Sequence, residues 1–373
     1  MRIVFFIDQV YQHGGIERVL SIKANYLANN PNHSIHIITT EQKNNTPCYD
    51  FNDSITFTDL AINYHRDTSY FHPKNLFKLP RHILRTKQLL KKIRPDIVVV
   101  CSHSTDTYFL PFIVKNIPKI KEFHYSKSIE VEQRKHPKNN LKRYFLKFAD
   151  FVETSYDRLV VLNKDEQHYY TSDNTIVIPN PLTFFPKTKA KLDKKLVIAA
   201  GRIAPVKGFD YLIDIWGIVS SNNKDWQLHI YGDGPKNYVA QLQQKINEKH
   251  LSHVIHLKGA TRKIQEKMLN ASIYVMTSHN ECFPLVLLEA QACGLPIIAF
   301  DCPHGPRNIV SEKNGELIEL YNIHEFASRL QNLMTDSELR YHMGESAKEN
   351  INQYRVGIIM RKWLSLFDEL KIT

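Results

Sequence analysis

The sequence alternates short apolar runs with helical patterns, and it does so in both halves of the chain. Predicted strands cover residues 3–7, 35–39, 97–101, 159–162 and 175–178, and then 196–200, 227–231, 254–257, 273–277 and 296–300. Several runs are apolar at successive positions, as strands covered by helices on both faces must be. Repeated alternation of strand and helix predicts an α/β fold with two doubly wound parallel sheets.

The length of the chain is consistent with two such domains. It has 373 residues, whereas single domains usually contain about 100–200. A proline-rich and then lysine-rich stretch over residues 179–195 is expected to join them. We therefore predict Rossmann-like domains over residues 1–185 and 186–355, and a final helix over 356–373 that packs back on the first domain. Ligands bind at the carboxyl ends of strands in such sheets, so we expect the site in an interdomain cleft.

The composition excludes several classes of protein and leaves a basic charge to be explained. With 43% hydrophobic and 23% charged residues, the chain is expected to be globular. No apolar stretch approaches the roughly 20 residues of a spanning helix, and we expect no secretory signal because Asp8 interrupts the first apolar run. Five cysteines without a C-x-x-C pair are typical of a reducing cytosol. The net charge of 49 − 38 = +11 fits nucleic acid, an anionic membrane or a phosphorylated ligand.

Glycines follow two of the predicted strands. Gly14 and Gly15 lie between the first strand and an amphipathic helix that is predicted to begin near Ile16. Because they lack Cβ atoms, backbone N–H groups can approach a ligand at the positive end of that helix. Gly232 and Gly234, in the sequence IYGDGP, offer the same possibility, although tight turns also use glycine. Neither motif is the G-x-G-x-x-G of dinucleotide-binding proteins.

Arg202 and Lys207 lie on the loop after the first predicted strand of the second domain. They are five residues apart in the sequence GRIAPVKG. A guanidinium offers a fork of donors and an ammonium offers a mobile point charge, so the two can bind one diphosphate together. The alternative is a pair of solvated surface cations. We favour phosphate binding because the loop follows a strand end.

Glu281 and Glu289 flank the start of a predicted helix that is apolar on nearly all sides. Pro284 suits its first position, and Gly294 followed by Pro296 marks its end. Such a helix is expected to be buried, and a buried glutamate needs a partner because an unpaired charge is costly. Carboxylates about 1.5 turns apart can bind a ligand with several hydroxyl groups. The alternative is a capping Glu281 and a Glu289 bonded to backbone or to an arginine.

In this order, the motifs resemble those of glycosyltransferase family 4, nucleotide-sugar enzymes with the GT-B architecture. The resemblance rests on GGIERVL, GRIAPVKG, IYGDGP and ECFPLVLLEAQACGLPIIAFDCPHGPRNIV, and it is strongest over residues 196–316. Glu281 and Glu289 match the family's pair of glutamates separated by seven residues. The resemblance implies a retaining hexosyltransferase built from two Rossmann-like domains, of which residues 1–185 bind the acceptor and residues 186–355 bind the nucleotide-sugar.

The resemblance also implies how the donor phosphates are bound. Gly14 and Gly15 match a loop near these phosphates and the transferred sugar. Arg202 and Lys207 match the pair that holds the diphosphate and stabilises the leaving group, an electrostatic effect that is usually large in catalysis. Gly232 is expected in the same donor site.

Further contacts are implied for the nucleoside and the sugar. Glu289 matches the carboxylate on the ribose hydroxyls, and Glu281 matches the carboxylate that faces the donor sugar. The backbone around Phe283, Pro284 and Leu285 is expected to meet sugar and phosphate at the helix start, where amides lack intrahelical partners.

His124, in the sequence EFHYS, resembles a histidine that lies near the reacting sugar in this family. His103, in CSHST, is a second candidate. The alternative for either histidine is a structural role. Together with Glu281, Arg202 and Lys207, His124 is expected to be catalytic.

The implied reaction is transfer with retention of anomeric configuration, by a front-face mechanism that the departing phosphate assists. The chain contains no D-x-D sequence, so we expect neither a metal ion nor another cofactor. Residues 301–308 resemble members that use UDP-sugars to build polysaccharides or oligosaccharides. Cys282 stands where glycine is frequent, which leaves the sugar open. We expect a hexose or an N-acetylhexosamine, with galactose or its N-acetylated form first.

A basic stretch of the sequence indicates that the acceptor is carried by a membrane. Residues 68–95 contain eight Lys or Arg and no Asp or Glu. In a helix beginning near Pro80, the side chains of Arg81, Arg85 and Lys92 fall within about 40° of one another. Such a stripe can lie on an anionic membrane or bind a lipid-linked pyrophosphate, and the alternative is a solvated helix face. We expect a glycan acceptor that is lipid-linked, and a cytoplasmic enzyme peripheral to the inner face of the membrane.

The sequence leaves three other functions open. A GDP-mannose-dependent mannosyltransferase fits the same motifs. A GT-B sugar-nucleotide epimerase needs acid and base side chains around the sugar, for which we find only His124. A basic nucleic-acid-binding protein would explain the charge, but no helix-turn-helix, zinc-finger or RNP signature is present, so we expect no nucleic-acid partner.

Overall fold

The chain forms two compact units. The computed structural model describes residues 1–69, 72–101, 103–137, 139–221 and 223–372. Unit 1 contains the residues up to Pro181 together with those from Val356 onward, and unit 2 runs from Leu182 to Arg355. Each unit contains one parallel sheet, so the predicted α/β fold with two Rossmann-like sheets is confirmed.

Unit 1 is built on a sheet of seven strands. These strands are β1 (Arg2–Ile7), β2 (Ser34–Thr39), β3 (Thr56–Asp59), β4 (Ile97–Val100), β5 (Lys119–Glu122), β6 (Arg158–Val161) and β7 (Thr175–Val177). Their order is β3-β2-β1-β4-β5-β6-β7, and β1 pairs with both β2 and β4. The strand order reverses beside β1, and ligands of doubly wound sheets bind at the carboxyl ends next to such a reversal. The residues that follow β1, β4 and β5 therefore share this edge.

Helices connect these strands. They are α1 (Gly15–Ala28), α2 (Pro73–Leu76), α3 (Leu79–Ile93), α4 (Ser128–Lys135), α5 (Asn140–Thr154) and α6 (Lys164–Gln167). The first helix buries Val19, Leu20 and Leu27, as its amphipathic pattern predicts. Both α3 and α5 contact the short 3-10 turn Thr105–Tyr108, which follows β4. A shared apolar core joins the sheet to these helices.

Unit 2 is built on a sheet of six strands. These strands are β8 (Leu196–Ala200), β9 (Gln227–Tyr231), β10 (Ile255–Leu257), β11 (Ile273–Met276), β12 (Ile297–Phe300) and β13 (Gly315–Ile318). Their order is β10-β9-β8-β11-β12-β13. The strand order reverses beside β8, which pairs with β9 and β11. The loops after β8, β9 and β11 therefore lie at the ligand-binding edge of this sheet.

The helices of unit 2 are α7 (Phe209–Val219), α8 (Lys236–Glu248), α9 (Ile264–Leu269), α10 (Leu285–Ala292), α11 (Ile323–Thr335) and α12 (Ser337–Asn350). Their apolar faces and the sheet enclose a core that contains the fully buried Trp216. As its composition predicts, α10 is buried on most sides, including Leu287, Leu288 and Ala290.

The last helix, α13 (Val356–Ile372), belongs to unit 1. It contacts α1, and the Nζ atom of Lys23 lies 4.3 Å from the centre of the Trp363 ring. Trp363 is 3% exposed, so this end of the chain is part of the core of unit 1. In the described ranges every helix is too short or too polar to span a lipid bilayer.

All ten predicted strands are present, with ends that differ by at most one residue, which is the usual uncertainty of helix and strand boundaries. Three further strands, β3, β5 and β13, were not predicted. In β5 the charged side chains of Lys119, Lys121 and Glu122 are buried. Their alternation with Ile120 looks like a solvated segment in the sequence, because burial of charges depends on partners that are distant along the chain.

Candidate functional site

The loops after β8 and β9 pack directly against each other. The backbone N–H of Gly201 donates to Tyr231 O at 3.0 Å, and that of Ile203 donates to Asp233 O at 2.8 Å. A Cβ atom on Gly232 would lie 1.8 Å from Gly201 O, and one on Gly234 would lie 2.0 Å from Ile203 O. This packing gives Gly232 a structural reason to be glycine, whether or not the donor also approaches it.

The same packing presents Arg202 and Lys207 at the edge of the sheet. Arg202 is exposed, and Lys207 ends the short 3-10 turn Pro205–Lys207. Gly208 follows with a φ of +61°, and a Cβ atom there would lie 2.1 Å from Thr277 O. Glycine is required at this position, because the loop is held against the end of β11 in a left-handed conformation.

Lys207 and Glu281, which are 74 residues apart, form an ion pair. Lys207 Nζ donates to Glu281 Oε1 at 2.5 Å, and the two side chains are 22% and 13% exposed. The backbone also positions Glu281, since its N–H donates to Pro303 O at 3.2 Å and its carbonyl accepts from Gly305 N at 2.7 Å. The structure therefore brings together the cation predicted for the diphosphate and the carboxylate predicted for the sugar.

Glu289 is buried in α10 with a hydroxyl partner. It is 2% exposed, and its Oε1 atom accepts from Thr183 Oγ1 at 2.6 Å. Sequence reasoning missed Thr183, although it lies in the stretch over residues 179–195 that was expected to join the two domains. The carboxylate that is predicted to bind a ribose is thus oriented by a side chain from the first residues of unit 2.

The start of α10 faces the same edge of the sheet. Pro284 is the N-cap residue and Leu285 is the first helical residue, one position later than predicted. No side chain of the described part of the chain caps this end, so its amides stay available to an anion. Phe283 is 6% exposed and packs against Tyr354, with ring centres 5.7 Å apart, so it acts through packing and backbone.

The loop after β12 closes beside Glu281. Arg307 donates from Nε to Asp301 Oδ1 at 3.0 Å and from Nη2 to Asp301 Oδ2 at 2.7 Å. Gly305 passes so close that a Cβ atom would lie 2.6 Å from Pro284 Cδ and 2.7 Å from Glu281 O. The segment that contains Glu281 and Pro284 therefore packs directly against the loop after β12.

In unit 1, Gly14 lies next to the carboxylate of Glu17. It is the N-cap residue of α1, and a Cβ atom there would lie 2.1 Å from Glu17 Oε2. Gln9 Nε2 donates to Glu17 Oε1 at 2.6 Å, and burial raises the pKa of Glu17. Gly15 begins the helix and is exposed. Sequence reasoning missed Glu17, whose signal was its position three residues after the N-cap.

His124 belongs to a buried charge network beneath this edge. Its Nε2 atom lies 2.9 Å from Glu122 Oε2, and its side chain is 7% exposed. Lys23 also pairs with Glu122. Burial lowers the pKa of His124, against the opposite effect of Glu122. Burial raises the pKa of Glu122, but the charge of Lys23 and the hydrogen bond with His124 outweigh it and lower that pKa to about 2. These two partners are the physical reason that Glu122 is buried, whereas Lys119 and Lys121 donate to backbone carbonyls.

The predicted basic stripe on α3 differs in one residue. Arg81 and Lys92 are exposed as expected. Arg85 is half-buried, and its Nη1 atom donates to Leu60 O. Its guanidinium satisfies a loop carbonyl of the same unit, which removes it from a continuous surface stripe. We therefore correct the stripe to Arg81 and Lys92.

The predicted residues thus fall at two sheet edges. In unit 1, Gly14 follows β1, His103 follows β4 and His124 follows β5. In unit 2, Lys207 follows β8 and Glu281 follows β11. Within the described ranges, no three His, Cys, Asp or Glu side chains are arranged so that they could hold a metal ion.

Comparisons with known proteins agree with this architecture. A glycosyltransferase family 4 model matches residues 13–183, and a glycosyl transferases group 1 model matches residues 182–350. An uncharacterized glycosyltransferase of Haemophilus influenzae is 29% identical, over 97% of this chain and 98% of that protein. The amylovoran biosynthesis glycosyltransferase AmsD of Erwinia amylovora is 26% identical over the same shares.

A solved structure shares the fold over the full length. A variant of S. aureus TarM in complex with fondaparinux, alpha-GlcNAc-glycerol and UDP superposes with a TM-score of 0.75. Its sequence identity is 18%, and the match covers 98% of this chain and 99% of that one. An identity this low shows the fold alone. With the ordered motifs and both family models, it follows that this chain is a glycosyltransferase of the family 4 type with the GT-B fold.

Proposed function

We propose that this enzyme transfers a hexose or an N-acetylhexosamine from a UDP-sugar to a glycan acceptor, with retention of anomeric configuration, in polysaccharide or oligosaccharide biosynthesis. The observation that carries the proposal is the group formed by Lys207, Glu281 and the uncapped start of α10, with Glu289 inside that helix. It combines groups for a diphosphate, a sugar and a ribose at one sheet edge.

The charges of this group suit a nucleoside diphosphate. Arg202 and Lys207 supply two positive charges, and the amides at the start of α10 supply a partial positive charge. Glu281 neutralises Lys207 while no donor is bound. On binding, the diphosphate takes over Lys207, and Glu281 becomes an acceptor for sugar hydroxyls. Arg202 and Lys207 then stabilise the charge that develops on the leaving phosphate, without a metal ion or another cofactor.

The site itself supports a ribonucleotide, and the relatives support uridine and a glycan acceptor. Glu289 and Thr183 offer adjacent oxygen atoms to the ribose hydroxyls. The structural relative TarM was solved with UDP, and AmsD is named for amylovoran biosynthesis. His124 is proposed to act near the reacting sugar in a neutral form, because burial lowers its pKa.

The surface of α3 supports attachment to an anionic membrane. Leu84 on α3 is 56% exposed, and Phe77, which precedes that helix, is 85% exposed. The exposed Arg81 and Lys92 also lie on α3. Apolar side chains that enter the lipid, flanked by cations that attract its headgroups, are typical of interfacial helices. We propose that the enzyme is peripheral to the cytoplasmic face of the membrane and that its acceptor is lipid-linked.

Thermal unfolding with nucleotides tests the donor proposal. A ligand that binds only the folded protein raises Tm by mass action, so UDP should raise Tm more than GDP or ADP at equal concentration. UDP-glucose, UDP-galactose and their N-acetylated forms then rank the sugars. A larger shift with GDP would overturn the UDP proposal in favour of a GDP-mannose-dependent mannosyltransferase.

Transfer and membrane attachment need separate assays. Release of UDP in the presence of a lipid-linked glycan, with the anomeric configuration of the product read by NMR, tests the reaction. Conversion of the UDP-sugar into its epimer, without an acceptor, would overturn transfer. Sedimentation with phosphatidylglycerol vesicles tests attachment, which should fall when Phe77→Ser and Leu84→Ser are combined. Equal sedimentation of this variant would remove α3 from the proposal.

A further inference from the structure

Tyr354 contacts three parts of the candidate donor site, and the donor proposal does not use it. It ends the short 3-10 turn Ile351–Tyr354 that follows α12 in unit 2. Its side chain is 6% exposed, so it can affect a ligand only through the residues that it contacts. Its hydroxyl, its ring and its backbone carbonyl each make a different contact.

The hydroxyl of Tyr354 restrains the loop after β12. It donates to Asn308 O at 2.9 Å, and Asn308 N donates to Gly305 O at 3.2 Å. The same loop fixes the backbone of Glu281 on both sides, because Glu281 N donates to Pro303 O at 3.2 Å and Gly305 N donates to Glu281 O at 2.7 Å. A path of hydrogen bonds therefore leads from the tyrosine hydroxyl to the backbone of Glu281.

The ring of Tyr354 restrains the segment between Glu281 and α10. It packs against Phe283 with ring centres 5.7 Å apart and ring planes 62° apart. Phe283 lies two residues after Glu281 and directly before Pro284, the N-cap residue of α10. Because aromatic pairs favour such edge-to-face arrangements, the ring limits the movement of this segment.

The carbonyl of Tyr354 holds the segment that orients Glu289. Leu182 N donates to Tyr354 O at 2.8 Å, and the next residue, Thr183, donates from its hydroxyl to Glu289 Oε1 at 2.6 Å. This contact is made by the backbone, so a change of the side chain leaves its donor and its acceptor in place. The side chain of Tyr354 is thus connected to Glu281, and its backbone is connected to Glu289.

We propose that Tyr354 is a positioning residue of the donor site, and that its hydroxyl holds Glu281 where the carboxylate accepts hydrogen bonds from the donor sugar. The inference rests on the donor site proposed above and adds to it a residue that does not touch the nucleotide-sugar. Burial raises the pKa of Tyr354 to about 12, so the hydroxyl remains a donor at neutral pH.

A purely structural role for the hydroxyl predicts a different result. Loss of a buried hydrogen bond lowers stability, and a loss of stability alone would not distinguish the nucleotide from the sugar. The positioning role predicts an effect on the sugar, because the path from the hydroxyl ends at Glu281. Nucleotide binding by Glu289 should be spared, since Leu182 N still bonds to the backbone carbonyl of residue 354.

Tyr354→Phe tests this difference, because it keeps the ring against Phe283 and removes the hydrogen bond to Asn308 O. Titration calorimetry of the full chain with UDP, UDP-glucose, UDP-galactose and their two N-acetylated forms gives the dissociation constants. For the UDP-sugar that the wild type binds most tightly, the ratio of its Kd to that of UDP should rise about five- to tenfold in the variant, since a hydrogen-bonding group loses its restraint. The Kd of UDP should stay within about twofold, because separate contacts hold the groups that bind it.

Tyr341→Phe is the matched control. It also removes a tyrosine hydroxyl from unit 2, but on the exposed side of α12, where Tyr341 is 51% exposed. This variant should leave both dissociation constants at their wild-type values. A rise of the ratio in Tyr341→Phe equal to that in Tyr354→Phe would overturn the assignment to Tyr354.

Hydrogen exchange of the free enzyme, followed by mass spectrometry, tests the path to Glu281. In Tyr354→Phe, amides of residues 303–309 should exchange about two- to tenfold faster, as expected when one hydrogen bond is lost. The peptide that contains Leu182 should exchange at the wild-type rate. Unchanged exchange at residues 303–309, or faster exchange throughout unit 2, would overturn the positioning role.

The calorimetric outcomes separate this inference from the donor proposal. A wild-type protein that binds neither UDP nor any of the UDP-sugars would overturn the donor proposal and this inference with it. If the wild type binds them and the ratio is unchanged in Tyr354→Phe, the positioning role is refuted and the donor proposal stands. Equal weakening of UDP and the UDP-sugar would also refute the positioning role, because it would show no selective effect on the sugar.

Discussion

The Nζ atom of Lys207 lies 2.5 Å from the Oε1 atom of Glu281. This pair places the cation that is proposed to bind the diphosphate beside the carboxylate that is proposed to bind the sugar. Because both side chains are mostly buried, the cation is neutralised in the free enzyme. In the proposed function the donor diphosphate therefore competes with Glu281 for Lys207, and this competition gives the first prediction.

Glu281→Gln should separate binding from transfer. Without the competing carboxylate, Lys207 is more available, so UDP should bind up to about fivefold more tightly, the range expected for a partly exposed ion pair. Transfer should fall about 100-fold, because a group facing the reacting sugar is lost. Calorimetry with UDP and initial rates with the UDP-sugar measure the two effects. Glu312→Gln, at an exposed site of unit 2, is the control, and weaker UDP binding by Glu281→Gln would contradict the competition.

Glu289→Gln should weaken UDP binding by about 10- to 100-fold, since hydrogen bonds to a charged group are lost. If Glu289 binds the ribose, the loss should be smaller for 2′-deoxy-UDP, which lacks one hydroxyl. Dissociation constants of both nucleotides for wild type and variant measure this coupling. Thr183→Val should give a smaller loss, because it removes only the partner that orients Glu289. An equal loss for UDP and deoxy-UDP would place Glu289 away from that hydroxyl.

Arg202→Ala should weaken UDP binding by about tenfold or more, because a charge-assisted contact with phosphate is lost. Uridine, which has no phosphate, should bind equally to variant and wild type. Titration calorimetry at two salt concentrations measures both ligands, and the difference should shrink at high salt. Arg361→Ala on α13 is the control at an exposed arginine. Parallel losses for UDP and uridine would mean that Arg202 does not act on phosphate.

Gly14→Ala should destabilise unit 1, because the new Cβ atom would lie 2.1 Å from Glu17 Oε2. Because Glu17 Oε2 ends a flexible side chain, the carboxylate can move away and lose its hydrogen bond with Gln9, at a cost of about 0.5–1.5 kcal/mol. The double change Gly14→Ala with Glu17→Ala removes the clash and should recover most of that stability. Unfolding free energies from urea denaturation of the wild type, both single variants and the double variant complete a double-mutant cycle. Additive effects would show that the glycine is required for another reason.

His82 should make the stability of unit 1 depend on pH. It is fully buried, its Nδ1 atom lies 3.0 Å from the Tyr64 hydroxyl, and burial lowers its pKa to about 4. The unfolded chain takes up a proton near pH 6.5, but the folded chain does so only near pH 4. Stability from the neutral histidine is therefore complete above pH 6.5 and is lost as the pH falls toward 4, by about 3 kcal/mol.

The control for this prediction is His82→Gln, which keeps a hydrogen-bonding group without titrating. Urea unfolding of both proteins from pH 7.5 to 4.5 should give a difference in unfolding free energy that narrows as the pH falls. Other groups titrate in both proteins and cancel in the difference. A difference that does not change with pH would mean that His82 is protonated equally in folded and unfolded chains.

Sequence patterns were sufficient for strands with apolar residues and failed where charges are buried. The runs at Leu196–Ala200 and Gln227–Tyr231 were predicted to the residue. β5 was missed because Glu122 looks solvated until Lys23 and His124 are placed beside it, and Lys121 looks solvated until its Nζ atom is placed against Val100 O. Those partners lie on other elements, so no local pattern reports them.

The candidate site shows the same division. The residue types of Arg202, Lys207, Glu281 and Glu289, and their positions after predicted strands, were enough to indicate a diphosphate and a hydroxylated ligand. The same patterns did not predict three contacts. These are the pairing of Lys207 with Glu281, the hydrogen bond from Thr183 to Glu289 and the hydrogen bond that half-buries Arg85.

The sequence by itself therefore determined the fold class, the order of the strands along the chain and the residue types at the proposed donor site. Hydrophobic periodicity and the glycine and proline positions are local properties, and they act within a few residues. Only the tertiary structure decided which charges meet and which glycines are needed for close packing. These are contacts between atoms far apart along the chain, and a distance of 2.5 Å between Lys207 and Glu281 exists only after the sheet has brought their loops to one edge.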